Sequence, residues 1–313
     1  MTDILPKPTK MLGGIGGKIP LTFMSRDKKV NALLNDEEDI IHIGNRSAID
    51  WSKKFVLFVA GVLFVLLVWF VVAEIYNTHY VVYMRFPTPA ESFRRLFELI
   101  SDNYTVLGSD ILTHTEASIM RGIRGFLVAF MIGLLFGVAL GISPRFYQFG
   151  VVPVTILQTI PGLAWFPVTI LLFGFGEESA IFIISITVIS PIALSVANGL
   201  RKVPVVNMRV AKMAGKSRLD SFFGVLLPFS ILDILTGVRI GMANGWRMLI
   251  SAEMIVGVAV GLGFAIRTLT GYLQYVSAFA CIIIICCVGI IIDKIVLGPL
   301  ESYARQKLGV ERK

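Results

Sequence analysis

The sequence predicts an all-α integral membrane protein with about six transmembrane helices, and three observations carry that reading. Of 313 residues, 55% are hydrophobic and only 16% charged, and the mean hydropathy is +0.78. Those values exceed what a soluble core of this size requires. Six regions meet the roughly 20-residue apolar length that crosses a bilayer. Basic residues crowd beside some of these regions and are absent beside others, which is how cytoplasmic positive charge orients a multi-pass chain.

Residues 1–52 precede the first apolar run and mix Gly, Pro and charge, with glycines from Gly13 to Gly17 and an acidic run from Asp36 to Asp39. No long amphipathic period emerges, so this segment reads as a flexible cytoplasmic extension. GGIGGK at Gly13–Lys18 is not a phosphate loop, because Leu12 stands where the motif needs Gly and Ile19 where it needs Ser or Thr. There is no cleavable signal pattern at Met1, so the first span acts as the insertion signal.

The membrane domain is expected over residues 53–300, with spans near 55–75, 118–142, 151–173, 179–199, 230–257 and 276–297. Lys53 and Lys54 precede the first. Arg201, Lys202, Arg209, Lys212, Lys216 and Arg218 crowd the 201–228 loop between the fourth and fifth. Residues 301–313 form a basic tail with Arg305, Lys307, Arg312 and Lys313, whereas the loop at Glu177 and Glu178 carries no basic residue. Six spans with both termini cytoplasmic satisfy this pattern. The net charge of +8 is thereby assigned to topology, not to nucleic acid. Between the first two spans, ESFRRLFELI places Phe93, Leu96 and Leu99 at helical spacing. It is either an amphipathic helix on the outer membrane surface or a packed connector.

Within the spans, Gly133, Gly137 and Gly141 form one ladder of small residues and Gly237, Gly241 and Gly245 another. Such ladders let backbones approach closely in lipid, as helix packing faces within the chain or as a dimer interface. Gln158, Thr159, Pro161, Gly162, Trp165 and Pro167 interrupt the third span, either lining a path or kinking a packing helix. Arg239, Arg247 and Glu253 lie in the fifth. An unpaired charge in hydrocarbon costs on the order of 3 kcal/mol or more, so Arg247 and Glu253 should each meet another helix or a cavity. Their separation is a poor one for pairing on one helix, and Arg239, nearer the cytoplasmic end, is expected to snorkel. The cysteines Cys281, Cys286 and Cys287 share one apolar segment and read as packing residues. His114, Ser118 and Arg121 share a helix face, but no HExxH, Cys/His cluster or carboxylate pair suits catalysis or a metal. An enzyme is disfavoured.

The stretch RVAKMAGKSRLDSFFGVLLP, Arg209 to Pro228, is a basic helix-forming loop between apolar segments and reads as a socket for another protein. Its spacing resembles the loop that permease subunits of ABC importers present to their ATPase, with Ala211, Gly215, Val225, Leu227 and Pro228 in register. Arg209 and Val210 stand where that family has Glu and Ala. His114, Ser118 and Arg121, the stretch PGLAWFPVTILLFGFG at Pro161–Gly176, Trp246 and SAEMIVG at Ser251–Gly257 add to the likeness. Together, over His114 to Leu300, they resemble the permeases of nitrate, sulfonate, taurine and bicarbonate importers.

The resemblance implies a type I importer fold in a plasma (inner) membrane. It implies a homodimer resting on two copies of an ABC ATPase, which bind ATP and Mg, and a separate extracytoplasmic solute-binding protein. It implies no cofactor and no catalytic residue on this chain. Arg209, Ala211, Lys212, Gly215, Arg218, Phe222, Leu227 and Pro228 would form the ATPase-coupling loop, as two short helices turning at Gly215, with Phe222, Phe223 and Leu227 anchoring it. Gln158, Thr159, Trp165, Arg247 and Glu253 are expected to line the translocation path. The competing readings are an ion-coupled secondary transporter using Glu253 and Arg247, and a membrane scaffold.

Overall fold

The computed structural model describes residues 51–307 apart from 80–84, 102–104 and 107. The expected extension, its GGIGGK stretch and the last residues of the tail therefore lie outside the described residues, apart from the short overlap at 51 and 52. The chain divides into two compact units at residues 68 and 69. The described part of the first is the N-terminal portion of α1 (Trp51–His79), where Phe55, Leu57 and Phe64 are exposed, as a lipid-facing helix requires.

In the second unit, Trp69–His79 completes α1, and α2 follows (Pro89–Ser101). A capping box starts α2: Glu91 N–H donates to Thr88 Oγ1 (3.3 Å) and Thr88 N–H to the Glu91 carboxylate (3.0 Å). That backbone donor holds the Glu91 carboxyl below its usual range. A hairpin of β1 (Thr105–Val106) and β2 (Ser109–Asp110) leads into α3 (Ile111–Ile142). Then come α4 (Pro144–Thr159), a 3₁₀ turn (Gly162–Trp165), α5 (Phe166–Phe173) and α6 (Glu177–Lys202). The loop carries α7 (Val205–Met213) and α8 (Arg218–Ser221), joined through a π turn (Phe222–Leu226) to α9 (Leu227–Ile255). Last are α10 (Leu262–Gly271), α11 (Tyr275–Ile291), a second π turn (Ile292–Leu297) and α12 (Gly298–Lys307).

Among the described residues five helical stretches are long and apolar enough to cross a membrane, or six when one bent pair counts as a span. That pair is the expected third span, whose interruption is a sharp one: α4 and the Gly162–Phe173 segment meet at 97°. Pro161 has no N–H to donate to the preceding turn, and Ile160 before it is held extended at ψ 122°. Gly162, just past the break, faces Thr187 of α6 and Met248 of α9, with no room for a side chain.

The bundle is organised on α6, whose most apolar window is 61% buried, against 28% for the windows of α3, α9 and α11. Both glycine ladders face it. A Cβ at Gly137 would lie 2.7 Å from Ala193 O, one at Gly141 2.7 Å from Leu200 Cβ, and one at Gly245 2.8 Å from Val188. Small residues thus bring α3 and α9 against adjoining faces of one helix, both ladders meeting Ile192, and their use within the chain overturns the dimer-interface alternative. Ile184, Val188, Ile192 and Val196 fill the space between. The cysteines are corrected too. Cys281 is buried in this core, but Cys286 and Cys287 are exposed, because α11 packs through one face and helical periodicity turns these two away from it.

Replacing Gly137 by Val should cost about 1–3 kcal/mol by overpacking the α3/α6 contact, read as a lowered thermal midpoint in detergent. Gly61→Ala, at a site with nothing within 4 Å, should leave the midpoint unchanged.

Candidate functional site

Three polar features occupy this apolar bundle. The basic loop lies at one end of α6, a buried charge cluster at the other, and an arginine-lined cavity on α9 between them.

The loop is built as two short helices around a glycine. α7 ends at Met213, and Gly215 adopts φ +73° with its N–H on Lys212 O (3.1 Å), while Lys216 N–H returns to Ala211 O (3.1 Å). This left-handed closure is the one L side chains resist and glycine accepts. Ser217 and Asp220 form a capping box that starts α8 on the far side of the turn. Arg209, Lys212, Gly215 and Arg218 are exposed, and Ala211 is buried. Phe222 and Leu227 pack against the core, and Pro228 lies in the first turn of α9, directly after the π turn. Phe223, expected as a third anchor, is instead 62% exposed. The π turn carries one extra residue, which rotates Phe223 off the packed side.

Sequence reasoning missed the apolar part of this surface. Val210, Met213 and Leu219 stand out among the basic residues, with Met213 at 87% exposure. Their signal was available: three large apolar residues in a loop too short to bury them.

At the opposite end, Glu253 is fully buried on α9. Its carboxylate takes Arg121 Nη1 and the Ser118 hydroxyl (2.8 Å) from α3, and the N–H of Gly263 (2.9 Å). Ser118 Oγ in turn accepts from Leu262 N–H (2.8 Å). His114 accepts from Gly261 N–H at Nδ1 (3.0 Å), leaving Nε2 to donate to Val106 O (3.1 Å). Arg121, also buried, sends Nη2 to Glu177 (2.8 Å) and to Val260 O (3.1 Å), and Arg124 closes on the other oxygen of Glu177 at 3.2 Å. The His114, Ser118 and Arg121 face therefore pins the turn between α9 and α10. The close approach requires glycine: a Cβ at Gly261 would fall 2.7 Å from the Glu253 carboxyl carbon.

This cluster holds Glu253, which was expected to line the path, fully buried against Arg121, Ser118 and the Gly263 N–H. Glu253 and Arg247, the pair invoked in the secondary-transporter reading, are not bonded to one another. Glu253 faces α3, whereas Arg247 is exposed on another side of α9, bonded to Ala243 O (3.1 Å) and Asn244 Oδ1 (2.7 Å). Arg247 lines a cavity of about 200 Å³ with Arg239, Trp246 and Asp293. Arg239 does not snorkel: both Asp293 oxygens (2.7 and 3.1 Å) and Glu301 (2.9 Å) neutralise it, because the second π turn and α12 bring those carboxylates alongside α9. Arg247 has only neutral acceptors among the described residues.

The remaining path candidates lie at the break. Gln158 and Thr159 are exposed at the end of α4, Thr159 bonding Ile156 O, and Trp165 is half-buried at the end of the 3₁₀ turn. The break abuts Met248, the neighbour of Arg247 in sequence, but nothing bonds these side chains to Arg247. Among the described residues no group of three His, Cys, Asp or Glu could hold a metal ion.

Glu253→Gln should destabilise the protein by about 3 kcal/mol, since it leaves the buried Arg121 charge short of its partner. Glu177→Gln, at a half-exposed carboxylate, should cost under about 1 kcal/mol. Paired thermal midpoints in one detergent decide between them.

Known proteins agree with this architecture. Residues 129–297 match the family described as binding-protein-dependent transport system inner membrane component. The chain is 31% identical to the nitrate import permease protein NrtB of Synechocystis sp. over 71% of its own length and 82% of the relative's. It is 30% identical to the bicarbonate transport system permease protein CmpB of Synechococcus elongatus over 79% and 89%. It is 28% identical to the taurine transport system permease protein TauC of Escherichia coli over 77% and 86%. In fold it is similar to a chain of the MetNI methionine ABC transporter, with TM-score 0.52 and 20% identity over 60% of this chain and 92% of that one. A glycine-packed bundle with a broken span and a two-helix basic loop, matched over more than half its length, thus belongs to the binding-protein-dependent inner membrane components, as an ABC importer permease of the type I fold.

Proposed function

We propose that this chain forms the translocation path for a small oxyanion of the nitrate, bicarbonate or sulfonate class, and that its 209–228 loop couples the path to a separate ATPase. The observation that carries the coupling is the loop itself: two capped helices hinged at Gly215, presenting Val210, Met213 and Leu219 among basic side chains. An exposed apolar patch rimmed by charge is the usual footprint of a protein partner. Arg209, Lys212 and Arg218 would meet acidic residues of that partner, and Phe222, Leu227 and Pro228 tie its movement to α9. Two copies of the chain would face each other, each on one ATPase that binds ATP and Mg, and a solute-binding protein would deliver cargo at the Glu177 end. By the positive-inside rule the loop end is cytoplasmic, with both termini on the same side of the inner membrane.

Arg247 supports the choice of an anion. It is a guanidinium at membrane depth with no carboxylate bonded to it among the described residues, and such a charge lowers the barrier for an anion in a pore. Gln158, Thr159 and Trp165, exposed or half-exposed at the broken span, are the other path residues proposed.

Gly215→Val introduces only backbone strain, since nothing lies within 4 Å of the site. It should leave membrane insertion intact yet cut cargo-stimulated ATP hydrolysis by the reconstituted complex at least ~10-fold, because the left-handed turn resists a β-branched residue. Normal stimulated turnover would remove the loop from the coupling role. Arg247→Ala should raise the KM for anion uptake on the order of 10-fold, the scale of one charge-assisted hydrogen bond, while ATPase binding persists. Unchanged uptake would take Arg247 out of the path.

A further inference from the structure

α2 has three faces where a helix on a soluble surface needs two. Ser92 and Leu99 are buried, and Arg95 on the same side donates to Ser277 at the start of α11 (3.0 Å). Glu91, Arg94 and Glu98 form a charged sector, with Arg94 and Glu98 paired at 3.5 Å. The third sector holds Phe93, Phe97 and Ile100, which at 3.6 residues per turn fall within about 60° of one another. They are 37%, 67% and 48% exposed.

The segment entering α2 fixes the depth of that stripe. Trp69 lies ten residues before the end of α1, about 15 Å down the helix. Its indole N–H nevertheless donates to Pro87 O (3.0 Å). Asn77 and Phe86 exchange two hydrogen bonds (3.0 and 2.8 Å), and the Phe86 ring packs on Tyr76 and Phe279. The chain leaving α1 thus folds back along the 69–79 part of the span before α2 begins at Pro89. An aromatic cluster of this kind marks the membrane–water boundary. The stripe is also continuous in character with the exposed Val71, Val72 and Ile75 of α1, a lipid-facing surface.

We infer that α2 is an interfacial helix: Phe93, Phe97 and Ile100 rest on the acyl chains of the leaflet opposite the basic loop, Glu91, Arg94 and Glu98 face the headgroups, and the buried face holds α11. Aromatic and aliphatic residues on one side with charge on another is the composition that seats a helix in this layer. α11 is then fastened to the bilayer surface as well as to its helical neighbours.

The test uses the full-length chain in lipid nanodiscs. Phe97→Cys should react with a membrane-impermeant maleimide at least ~10-fold more slowly than Arg94→Cys, with the unsubstituted protein, whose cysteines lie in the α11 apolar segment, as the baseline. Phe97→Trp should lose fluorescence when the nanodisc phospholipids are replaced by ones brominated on their acyl chains, relative to the parent protein. Slow labelling together with bromine quenching supports the inference. Equal labelling at the two sites overturns it, because the stripe then faces water. Slow labelling without quenching overturns it equally, because protein then covers the stripe.

Discussion

The close approach of α3 and α9 to α6 is the contact on which the rest of this membrane domain depends. In lipid, helices gain nothing from burying leucine against leucine, so association must come from intimate van der Waals packing. The two glycine ladders supply it, and each serves the same central helix: Gly133, Gly137 and Gly141 from α3, and Gly237, Gly241 and Gly245 from α9, on adjoining faces of α6. Because α6 runs from the Glu177 cluster to the basic loop, this packing sets the relation between the two ends of the molecule.

The polar groups are sorted by how completely each is neutralised. Arg121 and Glu253 satisfy one another together with Ser118 and the Gly263 N–H, which makes the cluster a fastening for the α9–α10 turn. Arg239 is likewise consumed, by Asp293 and Glu301. Arg247, on the same helix as both Arg239 and Glu253, keeps its charge uncompensated among the described residues. A buried ion pair is costly to form and costly to break, whereas an open guanidinium can attract. That contrast separates the structural charges of α9 from the one assigned to transport.

Much of the loop was legible. Gly215 at the turn, Ala211 on the buried side and Pro228 in the first turn of α9 all follow from local backbone rules, because capping and left-handed closure depend on residues a few positions apart. Phe223 was misread because a π turn has no distinct residue pattern, and one added residue shifts every later side chain around the helix. The break at Pro161 was visible as a perturbation, but not as a 97° change of direction, since the angle depends on what α6 and α9 leave room for.

By itself the sequence determined what local chemistry controls: the membrane class, the number and approximate extent of the spans, the amphipathic α2 and the two-helix loop. Apolar length, charge placement, capping and glycine conformation act over a turn or two of helix, so their signals survive in one dimension. Only the tertiary structure decided the pairings. His114, Ser118 and Arg121 formed a recognisable face, yet Glu253, the partner of Ser118 and Arg121, lies more than 130 residues away, and an ion pair leaves no trace in the spacing of its members. Whether a charged residue in a span is neutralised or left open is set by which helices stand beside it, a property of packing geometry in three dimensions.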